Sequence, residues 1–126
     1  MVIDTSALLA LAFREPFAEW VTVQLDRARA DLHMSSVNYA EYLIRLRSRQ
    51  PVKFAAIREQ TLRLPIQISA PDERDAEVAA EARILFPLNL GDCFAYALAK
   101  RLNMPILTLD SDFLKTDIVV VSPPRH

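Results

Sequence analysis

Glycine is almost absent from this chain: its 126 residues contain one, Gly91. That excludes glycine-rich phosphate cradles, because GxGxxG turns and P-loops need several residues without a Cβ at fixed spacing. Cysteine is equally scarce. Cys93 has no partner for an internal disulfide, so packing must hold the chain together and a reducing, cytoplasmic setting is expected. Histidine occurs twice, as His33 in a weakly strand-like segment and as His126, and neither is placed to join a zinc ligand set. Charge of one sign is also missing. Fifteen basic and 16 acidic side chains give a formal net charge of -1, so nucleic-acid binding has to come from local clustering. No apolar run reaches the roughly 18 residues of a membrane span. The opening apolar run has no basic stretch before it, so it does not read as a signal peptide.

What remains is a globular composition, 52% hydrophobic and 25% charged, that suits one domain over residues 1–126. Apolar patterning alternates between short strand-like runs and helical stretches. MVID (1–4) reads as a buried strand, and Thr5 or Ser6 offers a hydroxyl cap for the helix TSALLALAF. Glu15-Pro16 opens a second amphipathic helix running to about Ala30, and DLHMS (31–35) reads as a strand. From Ser36 a helix places Val37, Ala40, Leu43 and Ile44 on one face, with Glu41 beside it. Pro51 starts another helix, PIQIS (65–69) alternates as a strand, and Pro71 begins a charged helix with acids in its first turn. A further helix begins just after Asp92. ILTL (106–109) and DIVVV (117–121) complete the strands, and SPPRH is a tail. Strands alternating with helices predict an α/β fold, a three-layer α/β/α sandwich with a small parallel sheet.

Ligands gather at the carboxyl ends of strands in such sheets. Asp4 follows MVI and Asp110 follows ILTL, Asp92 opens a helix, and Glu41 lies mid-helix. Four carboxylates meeting at one edge would raise each other's pKa and need a cation, and an oxygen-only donor set selects Mg²⁺ or Mn²⁺. Each acid also has a plainer reading: Asp92 as a helix cap, Glu41 as a solvated helix residue, and Asp110, Asp112 and Asp117 as turn formers.

The order of MVIDTSALLAL, SSVNYAEYLIRL and LGDCFAYALAKRLNMPILTLDSDFLKTDI resembles the PIN-domain ribonucleases over essentially the whole chain. Within them it is most similar to the toxins of bacterial VapBC toxin–antitoxin modules. The resemblance implies a PIN-like fold and Mg²⁺-dependent endonucleolytic cleavage of RNA: a tRNA, an rRNA or mRNA. By the same likeness Asp4 and Asp92 are metal ligands and Glu41 is the helix glutamate. The fourth acid is Asp110 or Asp112, and Thr5 or Ser6, with Thr108, supplies hydroxyls that orient carboxylates or a water.

RNA must reach such a site past positive charge. Arg45 and Arg49 (with Arg47 between them) and Lys115 are the candidates; Lys100 and Arg101 lie elsewhere. The two-residue spacing spreads the three arginines around their helix, which equally suits a solvated, dipole-favoured helix end. The family also implies a VapB-like antitoxin that lays an apolar segment into a groove. Leu8, Leu9, Leu11, Phe13, Phe17 and Trp20 exceed what one helical face buries, which suggests such a groove or a homodimer surface.

Two other classes compete. A receiver-type Mg²⁺-binding signalling domain needs an acid at the end of a central strand, and PIQIS ends without one. A haloacid-dehalogenase-like phosphatase needs an Asp where Ser6 stands. A PIN fold with a degenerate site stays open as a binding protein.

Overall fold

The first strand, β1 (Val2–Ile3), sets the architecture, because neighbouring residues of a strand face opposite sides of the sheet. Val2 packs into one apolar cluster and Ile3 into another, both with no exposed surface. The same split recurs at Ile106 and Leu107 of β4 (Ile106–Leu107), and at Val120 and Val121 of β5 (Val120–Val121). With β2 (Leu32–Ser35) and β3 (Ile66–Ser69), these form a parallel sheet in the order β3-β2-β1-β4-β5. The computed structural model describes residues 1–124; Arg125 and His126, the end of the SPPRH tail, lie outside the described residues.

Helices cover both faces. α5 (Glu73–Leu85) and α6 (Leu90–Leu102) build the first cluster through Ala79, Ala82, Cys93, Tyr96 and Leu98. α1 (Thr5–Ala12), α2 (Ala18–Arg27) and α3 (Ser36–Arg49) build the second through Leu8, Val21, Leu25, Tyr42 and Leu46. α4 (Phe54–Leu62) has no buried residue and adds Phe54 and Ile57 at the margin. The result is the expected three-layer α/β/α sandwich.

Several boundaries differ from the sequence expectation. Glu15-Pro16 does not open α2. Arg14 adopts a left-handed φ of 51°, and the Glu15 amide bonds back to the Ala10 carbonyl at 2.9 Å, so this stretch closes α1. Pro51 lies in a turn and α4 starts at Phe54; Pro71 precedes the cap of α5, where Asp72 accepts from the Asp75 amide. Neither Thr5 nor Ser6 caps α1, because Asp4 stands at the N-cap and its side chain makes no capping bond there. α6 begins at Leu90, before Asp92, and Asn89 is its cap.

Candidate active site

The chain moves from β1 to β2 and β3 on one side, then returns to β4 on the other. The sheet therefore changes direction between β1 and β4, and open α/β sheets form their ligand crevice at such a point. Two segments end there. Asp4 leaves β1 and is almost fully buried, while Thr108, Leu109 and Asp110 leave β4. Ser6 Oγ and Thr108 Oγ1 each donate to Asp4 Oδ2 at 2.8 Å. The same hydroxyl oxygens accept from the Leu109 amide (3.0 Å) and the Asp110 amide (2.9 Å). One carboxylate and two hydroxyls thus tie the start of α1 to the end of β4.

α3 and α6 bring two further acids. Asn89 Oδ1 accepts from the Asp92 amide at 2.8 Å, and Asp92 Oδ2 accepts from the Asn89 amide at 3.3 Å. Asp92 is therefore the reciprocal partner in a capping box, and the cap reading made for it belongs to Asn89. Glu41 reaches across from α3 and lies against Gly91. A Cβ there would run into the Glu41 carboxylate, so the absence of a side chain at 91 makes room for that of 41. Glu41 Oε1 lies 3.4 Å from Thr5 Oγ1 and accepts from Asn38 Nδ2 at 3.3 Å. Asn38 Nδ2 also donates to the Gly91 carbonyl at 3.0 Å, and Thr5 Oγ1 donates to the Asn38 carbonyl at 3.0 Å.

Asn38 was missed from the sequence. It is fully buried, and its Oδ1 has no hydrogen-bond partner among the described residues. The available signal was its position three residues before Glu41, on the same helical face, since asparagine is a poor choice inside a helix unless its amide is used.

Burial pushes the pKa of Asp4 up, the hydroxyls of Ser6 and Thr108 oppose this, and the charge of Asp110 adds to it. Burial pushes Asp92 up to about 7, with the charges of Asp4, Asp110 and Glu41 acting in the same direction. Asp4, Glu41, Asp92 and Asp110 thus share one field. Asp112 has a different setting: its amide donates to Asp110 Oδ1 at 2.9 Å, and its half-exposed carboxylate lies 3.8 Å from Lys115 Nζ.

The chain matches the PIN domain family over residues 1–119. It belongs to that family. Among curated relatives of this PIN domain, ribonuclease VapC42 of Mycobacterium tuberculosis is 33% identical over 127 residues, covering 94% of this chain and 96% of the relative. Ribonuclease VapC30 of the same organism is 38% identical over 138 residues, covering 98% of this chain and all of the relative. Among solved structures, VapBC2 from Rickettsia felis, bound to a DNA fragment from their promoter, superposes with a TM-score of 0.80 at 12% identity, covering 96% of each chain. That likeness is one of fold.

The acids of this PIN domain suit a hard divalent cation. Every donor is oxygen, and a cation would offset the charges of Asp4, Asp110 and Glu41 that add to burial in lifting Asp92. Among the described residues no three acidic, imidazole or thiol groups already converge on one ion. Mg²⁺ accepts this, because it is usually held through one or two carboxylates and keeps several waters. Asp4 and Asp92, with Asp110 beside them, are the residues that would hold it.

Around the site, Arg45 and Arg49 line a cavity of about 300 Å³ together with Ser6 and Asp110. Lys115 is exposed and pairs with Asp112. Leu8 and Leu9 are buried, Leu11, Phe13 and Trp20 are partly covered, and Phe17 is exposed. Leu8, Leu11, Ala12, Tyr42, Ile57 and Leu64 line an apolar cleft of about 260 Å³ between α1 and α4.

Proposed function

We propose that this PIN domain is a divalent-metal-dependent endoribonuclease, the toxin of a VapBC-type module acting in the cytoplasm. The observation that carries the reading is the shared field of Asp4, Glu41, Asp92 and Asp110 at the β1–β4 crevice, with Asp92 raised to about 7. The two curated relatives are named ribonucleases, and the aligned lengths are nearly complete.

The chain's own residues divide the work. Asp4, held by two hydroxyls, and Asp92, held by the capping box, present fixed oxygens to a cation such as Mg²⁺ or Mn²⁺. When bound, such an ion supplies hydroxide at neutral pH and offsets charge on the phosphate in transit. Glu41, fixed through Oε1, accepts a proton from the attacking water at Oε2. Fixing these groups in advance is the protein's main contribution.

A VapB-like antitoxin is the proposed partner, with its apolar segment over the cleft lined by Leu8, Leu11, Tyr42 and Ile57. VapBC2, one of the structural neighbours, carries the name of such a module. Homodimerisation is part of the same proposal. The test is cleavage of total bacterial RNA by the purified, antitoxin-free chain with Mg²⁺ or Mn²⁺, mapping new 5′ ends. Discrete cuts that vanish with EDTA and in Asp4→Asn and Asp92→Asn are expected, and the mapped ends name the substrate. A folded chain that leaves every RNA intact, or cuts persisting in both variants, overturns the reading.

A further inference from the structure

Residues four apart stack on one face of a helix, one turn or about 6 Å along the axis. Glu41, Arg45 and Arg49 have that spacing, so a stripe runs down α3 from the acid site through two arginines. Arg47 leaves the stripe and stands over the Phe54 ring, 5.7 Å from its centre. The expectation that two-residue spacing scatters the arginines therefore holds for Arg47 and misses the register of the other two.

Arg49 stands over the Phe13 ring at the end of α1, its guanidinium carbon 3.7 Å from the ring centre. Arg45, Arg49, Phe13 and Leu9 line the cavity that Ser6 and Asp110 close at the catalytic end, with Glu15 also on its wall. Among the described residues no carboxylate forms an ion pair with Arg45 or Arg49. Two guanidiniums without an ion pair among the described residues therefore share a cavity with Asp110, one of the four acids of the site.

We propose that this cavity is a nucleotide subsite beside the scissile bond, a proposal that rests on the nuclease reading. Arg45, one turn from Glu41, takes the phosphate next to the one being cut, where a guanidinium binds two oxygens at once. The base lies against the Arg49–Phe13 stack and Leu9, because every base offers a flat face to an aromatic or guanidinium plane. Glu15 supplies an acceptor for an exocyclic amino group on the base edge. The volume of about 300 Å³ suits a ligand of the size of one nucleotide.

The experiment pairs Arg45→Gln with Arg49→Lys, both exposed positions whose thermal unfolding should match the parent. Binding is measured by anisotropy with a randomised single-stranded RNA oligonucleotide, on an Asp4→Asn chain that cannot cut. Cleavage is measured separately on the otherwise unchanged chain. Arg45→Gln should weaken RNA binding about tenfold and lower the salt slope by about one, raising KM with kcat nearly unchanged. Arg49→Lys keeps the charge and the salt slope but should relax base preference at one position of the mapped cut sites. Unchanged RNA affinity in both variants overturns the subsite, and so does weakened antitoxin binding with RNA binding intact. A parent chain that binds RNA through these arginines yet cuts nothing refutes the nuclease reading and leaves the binding cavity standing.

Discussion

Gly91→Ala separates stability from activity in a way that follows directly from the packing of α3 on α6. The backbone at 91 is ordinary helix with no positive φ, so nothing in its torsions demands glycine. Alanine in a helix is favoured over glycine by about 0.8–1.0 kcal/mol. The three atoms nearest the added methyl all belong to the Glu41 carboxylate, the far end of a side chain with three torsions that can swing away. Swinging away breaks the Asn38–Glu41 hydrogen bond at 3.3 Å, about 0.5–1.5 kcal/mol. The two effects nearly cancel, so the melting temperature should move by no more than about 5 °C. Activity should not survive as well, since displacing a catalytic group by about 1 Å costs about 10²-fold. The assay is steady-state cleavage of a short RNA carrying the mapped site, beside thermal unfolding of the same preparation. The decisive variant is Gly91→Ala in an Glu41→Ala background, where the methyl has nothing to displace and should cost nothing further. Full activity in the single variant would refute the reasoning, as would a fresh hundredfold loss on top of Glu41→Ala.

Three more outcomes are expected. Asp110→Asn keeps the side chain that caps the turn at Asp112 but removes a charge felt by Asp4 and Asp92, so cleavage should fall at least tenfold, while Asp112→Asn stays near the parent; equal losses would show that both carboxylates act. In EDTA the folded chain holds the Asp92 proton up to about 7, whereas an unfolded aspartate releases it near about 3.9. The native state then binds more protons than the unfolded one, so stability falls as pH rises through that window. The Asp92→Asn chain should show a flatter decline in melting temperature between about pH 4 and pH 7, and an identical slope would remove Asp92 as its source. Asn38→Ala should cost about 1–3 kcal/mol in urea unfolding, because it strips a buried donor from the Gly91 carbonyl, and should lower cleavage as well. A stable, fully active variant would leave Asn38 without a role.

The alternation of strands and helices was legible because it is written in local apolar periodicity, and so was Asp4 at the end of a strand, whereas β4 stops at Leu107, three residues before Asp110. Glu15-Pro16 and Pro51 misled because proline suits both a helix start and a turn, and the left-handed Arg14 that decides the first case leaves no mark in composition. The Asn89 cap lay hidden behind Asp92, an equally good cap residue three places on. The seating of Glu41 on Gly91, and the bond from Asn38 to the Gly91 carbonyl, join segments of chain some fifty residues apart. No local pattern encodes such a meeting; it exists only once α3 and α6 have packed.

The hydroxyl clasp on Asp4 has a temporal consequence. Ser6 is made almost at once, but Thr108 lies 104 residues beyond Asp4. While a ribosome is still adding the intervening chain, the buried carboxylate has half of its clasp and the crevice has one wall. The acid crevice is thus completed only once β4 and Thr108 have been made, and a prematurely ended copy lacking β4 carries no complete site.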